Sequence, residues 1–263
     1  MQSTPYAIVI LSYNHPEITS QCIESVLIKN NFPSEYIYLV HNGSQPNHVQ
    51  TLKHRFPQIT HIESEQNKGY SGGANLGLST AFLKHNLVLF LTNDTLLEKR
   101  PNHPPEGFSS VKILKRKTNQ IDSLMGRIDI KKGQLQHVKE QQLLEGKNLY
   151  IPGTAFWISA DVYKKLNGFD ESYLTYWEDV DFSWRAEKNQ IILKHNEETV
   201  VRHKIGKTCH HNDFYTYYLF QRNRKKFMKK HNLTSLYFWI VFYYDIIRFC
   251  RYRFKFLWRI IYE

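Results

Sequence analysis

The chain is poor in cysteine, and its three cysteines are too few and too scattered for a disulfide framework or a zinc knuckle. We therefore interpret Cys22, Cys209 and Cys250 as free thiols, which fits a reducing compartment. The first five residues, Met-Gln-Ser-Thr-Pro, lack the basic region and the long apolar stretch of a secretory signal. These features predict a protein that stays in the cytoplasm.

Acidic residues are also scarce relative to basic ones. The 24 Asp and Glu against 35 Lys and Arg give a formal net charge of +11 and an isoelectric point near 9.4. A basic surface attracts nucleic acid, anionic lipid or phosphorylated small molecules, and charge alone does not choose between them. The hydrophobic fraction of 41% excludes disorder, and 263 residues suffice for one large α/β domain, with or without a small appendage.

Short apolar runs recur along the chain, each followed by polar residues. Continuous apolar strands that alternate with helical patterns predict a parallel sheet covered on both faces. In open sheets of this kind ligands bind beyond the carboxyl ends of the strands, so the loops after the runs should meet in one pocket. The predicted strands are Ala7 to Leu11, Tyr36 to Val40, Thr60 to Ile62, Leu87 to Leu91 and Thr154 to Ile158.

The middle of the chain has a different composition. Glu98 to Pro105 is polar and rich in proline, and Lys112 to Lys117 adds a basic cluster. Such a composition is typical of loops, so we expect this stretch to be irregular or mobile.

Carboxylates cluster in the segment from Trp177 to Asp181, at the start of a predicted helix and after the Gly-Phe-Asp turn at residues 168 to 170. Acidic residues in a first helical turn have an ordinary explanation, because they interact favourably with the positive end of the helix. An enzyme would also keep a general base at such a place. Three further polar signals in the same chain, at Asn93-Asp94, from Asn67 to Gly77 and around His203, favour the second interpretation.

The first of these signals is Asn93 and Asp94 at the end of an apolar strand, where an α/β enzyme holds a divalent cation against a diphosphate. A turn or a helix cap is the alternative role for this aspartate. Mg²⁺ and Mn²⁺ accept one or two carboxylates and take their other ligands from water and phosphate. His203, which follows a late apolar strand, is a candidate second ligand to metal or phosphate, or an ordinary surface or core histidine.

The second signal is a glycine-rich turn from Asn67 to Gly77, which combines Lys68 with glycines at a helix start. Exposed backbone N–H groups at a helix start favour anions. The turn lacks the spacing of a Walker or dinucleotide motif, and it also serves as a tight entry to a helix. Arg222, further on, is a candidate phosphate contact or part of a solvated basic helix.

In their order and spacing these residues resemble the glycosyltransferase family 2 enzymes of GT-A fold, and most closely the bacterial rhamnosyltransferase-like branch. The resemblance covers about residues 6–225. It implies an α/β, GT-A type nucleotide-sugar-binding domain with a mainly parallel, Rossmann-like sheet over residues 1–212, and a C-terminal helical extension over 213–263. The motifs that carry it are Ser12-Tyr13-Asn14, Asn42-Gly43-Ser44, Asn67 to Gly77, Thr92-Asn93-Asp94, Gly153, Gly168-Phe169-Asp170, Trp177 to Asp181, and His203 with Gly206.

The resemblance implies an inverting transfer of a sugar from a nucleotide-diphosphate donor to a hydroxyl of a glycan or lipid-linked acceptor, in cell-surface polysaccharide synthesis. Asp94 and His203 would bind Mg²⁺ or Mn²⁺, and Asp179 would be the general base with Glu178 beside it. Trp157, Trp177 and Asp181 would contact the acceptor. The donor-binding positions would be Ser12, Tyr13, Asn14, His41, Asn42, Lys68, Gly69, Asn75, Asn93 and Arg222.

Two other functions stay open. A catalytically inactive nucleotide-sugar binder is credible because His41 and Thr92 stand at positions that are commonly acidic in the family. A nucleic-acid-binding protein would also be basic and aromatic, but the carboxylates of Glu178, Asp179 and Asp181 would repel phosphate, so no nucleic-acid partner is expected.

The C-terminal stretch predicts an amphipathic helix that is too interrupted by charge to span a bilayer. We expect it to lie on the anionic inner face of the cell membrane, and packing against the catalytic domain or in a homodimer is the alternative. Helical spacing places Asp245, Arg248, Arg251, Lys255 and Arg259 on one stripe, with Phe249, Phe256 and Trp258 opposite.

Overall fold

The computed structural model describes residues 6–144, 146–203 and 214–262, and for residues 214 and 251–262 it describes the backbone alone. Gly206 and Cys209 therefore lie outside the described residues. Cys22 and Cys250 are free thiols, as predicted; Cys22 is buried and Cys250 is exposed.

The first half of the larger sheet is parallel. Its strands lie in the order β3-β2-β1-β4, and all the neighbours run in the same direction. They confirm the first four predicted strands: β1 (Ala7–Ser12), β2 (Ile37–Asn42), β3 (Thr60–Ser64) and β4 (Leu87–Thr92).

The second half of this sheet is mixed. The order continues β4-β11-β6-β12-β5, with β7 paired to β6, and β11 is antiparallel to both of its neighbours. The predicted α/β fold is thus confirmed, with a parallel sheet over the first four strands and mixed pairing beyond them. The added strands are β5 (Thr95–Lys99), β6 (Phe108–Lys115), β7 (Ile121–Ser123), β11 (Ala155–Ser159) and β12 (Leu193–His203).

The prediction of an irregular middle stretch is confirmed for residues 100–105, which form neither helix nor strand. It is wrong for the basic cluster that begins at Lys112, because β6 is an inner strand of the sheet. Val111 and Ile113 are buried in the core, whereas Lys112 lies between them on the opposite face of the strand and is half-buried. A smaller antiparallel sheet follows, with β8 (Met125–Asp129) between β9 (Gln134–Val138) and β10 (Leu149–Tyr150).

Helices cover both faces of the larger sheet. Val9 of β1 packs toward one face and Ile10 toward the other, so the strand is apolar throughout. Within the described residues, no helix is long and apolar enough to cross a membrane. The helices are α1 (Pro16–Glu24), α2 (Pro46–Arg55), α3 (Gly69–Ala81), α4 (Ala160–Lys165), α5 (Glu178–Lys188), α6 (Phe214–Lys230) and α7 (Leu236–Tyr262).

The two C-terminal helices pack against the rest of the chain. Phe227 of α6 and Phe238 of α7 are fully buried in one apolar cluster with Trp184 of α5. The guanidinium of Arg224 lies between the rings of Phe238 and Phe242, about 5.5 Å from each ring centroid. The predicted helical extension is therefore attached to α5 through a shared core.

Two side chains on α7 contact protein: Asp245, which was predicted in the charged stripe, and Phe249, which was predicted on the opposite side. Asp245 does not lie in a solvated stripe, because it accepts a hydrogen bond from the buried Arg224 at 2.9 Å. Phe249 stacks on Tyr217 with ring centroids 3.7 Å apart, so it faces α6. Both residues therefore belong to the protein-facing side of the helix.

Candidate active site

The loops after β1 and β2 are joined by Asn14. Asn14 and His15 have left-handed backbone conformations, with φ near 50°. This turn lets the Asn14 amide oxygen accept the backbone N–H of Gln45 at 3.0 Å, and the Asn14 N–H donate to the Ser44 hydroxyl at 2.9 Å. Tyr13 is exposed at the mouth of these loops, so Tyr13 and Asn14 are placed where a ligand can reach them.

A buried polar layer lies beneath the loops. Thr19 of α1 is paired with the hydroxyl of Ser12 at 2.8 Å and accepts a hydrogen bond from the Asn93 amide at 2.9 Å. The Asn42 amide donates to the carbonyl of Gly69 at 2.8 Å. The side chains of Ser12, Asn42 and Asn93 are buried and bonded within the protein, and their contact with the donor stays a prediction.

His41 is also buried, on the α2 side of β2, and it stacks on His61 with 2.9 Å between ring nitrogens. Burial, with the neighbouring charge of His61, lowers the pKa of His41 to about 4. This histidine is therefore neutral at pH 7 and turned into the protein, and its contact with the donor stays a prediction.

The start of α3 is shaped by close backbone contact. Gly69 has φ of 69°, and a Cβ at this position would lie 2.3 Å from the carbonyl oxygen of Leu174. Lys68, just before it, is exposed. The Asn75 side chain binds the turn before α5 through two hydrogen bonds: its Oδ1 accepts the N–H of Phe169 at 2.8 Å, and its Nδ2 donates to the Phe169 carbonyl at 2.9 Å. Lys68 and Gly69 are accessible, whereas Asn75 holds the turn.

Asp94 and His203 meet at the ends of β4 and β12. Their Oδ2 and Nε2 atoms are 3.2 Å apart, and the Thr92 hydroxyl donates to Asp94 Oδ1 at 2.7 Å. Burial alone would raise the pKa of Asp94, but the hydrogen bonds from His203 and Thr92 outweigh it, so its pKa lies below the usual value. The structure thus brings together the two residues predicted as metal ligands.

Asp179 lies in the first turn of α5 and is held by backbone groups. Its Oδ2 accepts the N–H of Gly153 at 2.9 Å, and its Oδ1 accepts the N–H of Val180 at 2.8 Å. Burial raises the pKa of Asp179, and these two hydrogen bonds counteract part of that rise. Gly153 leaves room for Tyr70, because a Cβ here would lie 2.8 Å from the hydroxyl of Tyr70 and would displace that side chain.

Glu178, the neighbouring carboxyl, has a different environment. It is 6% exposed, and its Oε2 has no hydrogen-bond partner within the part of the chain that the structure describes. Burial and the charge of Asp179 raise the pKa of Glu178 well above the usual range. Burial thus raises the pKa of both carboxyls, and the larger rise falls on Glu178, because backbone N–H groups stabilise the ionised form of Asp179.

The turn that leads into α5 is strained. Tyr176 and Trp177 both have positive φ, 69° and 73°, which bulky side chains rarely adopt. The buried amide of Asn223 on α6 donates to the carbonyls of Thr175 at 2.8 Å and Tyr176 at 3.0 Å. Asn223 thus fixes the backbone just before the two carboxyls, a positioning role that its sequence context beside Arg222 did not signal.

The three predicted acceptor contacts are wrong, because their side chains are buried. Trp157 is fully buried against Tyr6 and donates to Thr199 at 2.9 Å. Trp177 is 1% exposed and packs on Phe227. Asp181 is 0% exposed and forms ion pairs within the protein. Arg222 is exposed on α6, where its Nε donates to the Asn223 side chain at 3.1 Å.

A short hydrogen-bonded path connects Asp94 with Asp179. Thr92 holds Asp94 through its hydroxyl and donates its backbone N–H to the carbonyl of Thr154 at 3.0 Å. The residue before Thr154 is Gly153, whose N–H holds Asp179. The structure therefore places an ionised carboxylate beside a histidine at one end of the sheet, and the adjoining loop holds a second carboxyl, that of Asp179 at the start of α5.

Known proteins share this architecture. Residues 7–100 match the sequence profile described as Glycosyl transferase family 2. Among solved structures, GalNAc-T7 with UDP, GalNAc and Mn²⁺ superposes with a TM-score of 0.63 at 14% identity, over 85% of this chain and 47% of that one. The protein has the GT-A fold.

Two other GT-A proteins are similar over most of the chain. Mannosyltransferase PcManGT from Pyrobaculum calidifontis, in complex with GDP-Man and Mn²⁺, has a TM-score of 0.57 at 13% identity, over 92% of this chain and 68% of that one. TarS from S. aureus, in complex with UDP, has a TM-score of 0.54 at 14% identity, over 86% and 65% of the two chains. At these identities the similarity establishes the fold.

A relative with detectable sequence similarity is the low-salt glycan biosynthesis hexosyltransferase Agl10 of Haloferax volcanii. It is 26% identical over 200 residues, which cover 70% of this chain and 62% of Agl10. The match thus spans less than two thirds of that relative. Because this relative is a hexosyltransferase, the rhamnosyltransferase-like branch stays a prediction.

Proposed function

We propose that the protein is a glycosyltransferase that moves a sugar from a nucleotide-diphosphate donor to a hydroxyl group of a glycan or lipid-linked acceptor. The observation that carries the proposal is the path from Asp94 through Thr92, Thr154 and Gly153 to Asp179, which brings the Asp94 and Asp179 carboxyls to the same end of the sheet. The family 2 profile match over residues 7–100 supports it, and so do the nucleotides bound in the similar GT-A structures.

A divalent cation, Mg²⁺ or Mn²⁺, would be held by Asp94 Oδ2 and His203 Nε2. One oxygen and one imidazole nitrogen 3.2 Å apart fit such a site, because these ions take further ligands from phosphate and water. The described residues contain no group of three or more His, Cys, Asp or Glu able to hold a metal, so a donor diphosphate has to complete the site. The bound cation would offset negative charge on the departing nucleotide diphosphate.

Asp179 removes the proton from the acceptor hydroxyl. The acceptor oxygen then forms a bond to the anomeric carbon from the face opposite the diphosphate, and the bond from that carbon to the diphosphate oxygen breaks. The proton stays on Asp179, the electron pair leaves with the nucleotide diphosphate, and the configuration inverts without a covalent enzyme intermediate. Glu178, which keeps its own proton, does not compete for this role.

The accessible positions near the loops supply the donor contacts. Tyr13 and Asn14 border the mouth between the first two loops, and Lys68 and Gly69 lie at the start of α3. Lys68 and the exposed Arg222 offer positive charge to the diphosphate.

The setting of the reaction would be cell-surface polysaccharide synthesis at the inner face of the membrane. The name of the Haloferax relative places it in glycan biosynthesis, which agrees with a glycan acceptor. A homodimer is compatible with this setting, and sedimentation of the purified chain measures it directly.

The function is tested by incubating the full chain with a panel of uridine, guanosine and thymidine diphosphate sugars, with Mn²⁺ or with chelator. Release of the nucleoside diphosphate from at least one donor, dependent on the metal and absent from the Asp179→Asn variant, is the expected result. If the parent chain binds donors but turns none of them over with any acceptor hydroxyl tried, the result would instead favour a nucleotide-sugar-binding protein. Thr92 and His41, at commonly acidic positions, motivate that second candidate.

A further inference from the structure

We infer that α7 is a membrane-docking helix whose outer face binds the surface of an anionic phospholipid bilayer. The outer face of α7 consists of large apolar residues that are each about half exposed or more. They recur at steps of three and four residues, so they form one side of the helix. These residues are Leu236, Tyr237, Ile240, Tyr243, Tyr244 and Ile247, with exposures from 49% to 78%.

The opposite face of the same helix is occupied by protein. Phe238 and Phe242 are buried against α6, Asp245 pairs with Arg224, and Phe249 stacks on Tyr217. These contacts set the rotation of α7 and leave the outer face turned away from the core. An apolar stripe of this kind on a surface helix marks an interaction site.

The charge of the C-terminal helices determines which partner fits. Residues 214–263 hold 11 Lys and Arg against two Asp and Glu, and therefore carry +9 of the formal net charge of +11. The ammonium groups of Lys225 and Lys229 lie 5.6 and 5.9 Å from the ring centroid of Trp239, so basic groups of α6 border the start of α7. A second copy would bring an equal positive charge to the same place, whereas anionic lipid headgroups neutralise it.

The composition of the outer face agrees with a lipid interface. Three of its six residues are tyrosines, whose apolar ring and polar hydroxyl suit the boundary between headgroups and acyl chains. No helix among the described residues is long and apolar enough to cross a membrane, so α7 would lie in the plane of the surface. This inference does not rest on the proposed function, and it is tested without donor, acceptor or metal.

The test is co-sedimentation of the full chain with vesicles of phosphatidylcholine alone or mixed with phosphatidylglycerol, at low salt. The chain should sediment with the mixed vesicles and stay in solution with the neutral ones. The variant Ile240→Ser/Ile247→Ser should bind the mixed vesicles at least about tenfold more weakly, since each substitution removes an aliphatic side chain from the interface.

The matched control is Ile28→Ser/Ile192→Ser, which removes two isoleucines that are 75% and 74% exposed elsewhere on the surface. This variant should bind like the parent. Equal loss in both variants, or equal binding of the parent to neutral and mixed vesicles, would overturn the inference. A third result would also overturn the inference. If the parent does not bind vesicles, and sedimentation equilibrium shows a dimer that Ile240→Ser/Ile247→Ser dissociates, then the outer face joins two copies of the chain.

Discussion

Lys230, at the end of α6, forms an ion pair with Asp181 on α5 across 2.7 Å. Asp181 is fully buried, and it also binds Arg185 at 2.8 Å and His231 at 2.9 Å. The C-terminal extension is therefore tied at a charged contact to the helix that carries Asp179. Together with the Asn223 contacts to the strained turn, this makes α6 a part of the site rather than an appendage.

Asp181→Ala should destabilise the folded chain by about 1 to 3 kcal/mol, because it removes the buried carboxylate that accepts hydrogen bonds from the partly exposed Arg185, Lys230 and His231. Urea unfolding followed by tryptophan fluorescence measures the loss. Glu171→Ala, at an exposed carboxylate on the preceding turn, is the control and should stay within about 0.5 kcal/mol of the parent. An Asp181→Ala variant as stable as the parent would show that the cluster contributes no net stability.

Asn223→Ala should lower turnover several-fold or more while leaving the affinity for nucleotide diphosphate and Mn²⁺ close to that of the parent. The substitution releases the carbonyls of Thr175 and Tyr176, so the strained turn before Asp179 loses its support. The separation of turnover from binding distinguishes positioning from general unfolding, and circular dichroism checks the fold. Equal losses of turnover and nucleotide affinity would contradict a role confined to the base.

Glu178→Gln should make the chain more stable than the parent as the pH rises. Since burial raises the folded-state pKa of Glu178, the folded chain keeps a proton that the unfolded chain releases above about pH 4.3, and parent stability falls as pH rises toward the folded pKa. Glutamine has no proton to lose. The difference in unfolding free energy should therefore grow from pH 5 to pH 8, measured in urea, and a difference that is flat or falls with pH would contradict a protonated Glu178.

Asp94→Ala should weaken nucleotide-diphosphate binding in Mn²⁺ and change it little in chelator. The reason is that Asp94 and His203 would hold the cation rather than the nucleotide. Isothermal titration under both conditions gives the two affinities. An equal loss with and without the metal would assign Asp94 a structural role or a direct contact with the sugar.

The sequence predicted those parts of the site that lie at the ends of apolar strands and helices. Asp94 lies two residues after the end of β4 and Asp179 lies in the first turn of α5, so the periodicity that located the elements also located these carboxyls. Asp94 and His203 meet because both end a strand at the same edge. Such positions follow from local pattern and sheet geometry.

The parts that sequence missed depend on which way a side chain points. Trp157 and Trp177 have the composition of a sugar platform, but long-range packing buries both. The central position of β6 is likewise decided by its partners β11 and β12. Its lysines gave the segment a composition typical of loops, so the strand was not predicted. Asn223 is separated from Tyr176 by 47 positions, and local sequence carries no signal for a contact of that range.

The most direct test is transfer to an acceptor by Asp179→Asn, compared with the parent, using whichever nucleotide sugar the parent turns over. Asparagine keeps an oxygen that can accept the Gly153 N–H but cannot take a proton. Transfer should fall by ~10² to 10⁴, the usual contribution of general-base catalysis, with nucleotide-diphosphate binding in Mn²⁺ unchanged. Turnover close to that of the parent would contradict Asp179 as the base, and with it the mechanism proposed for this site.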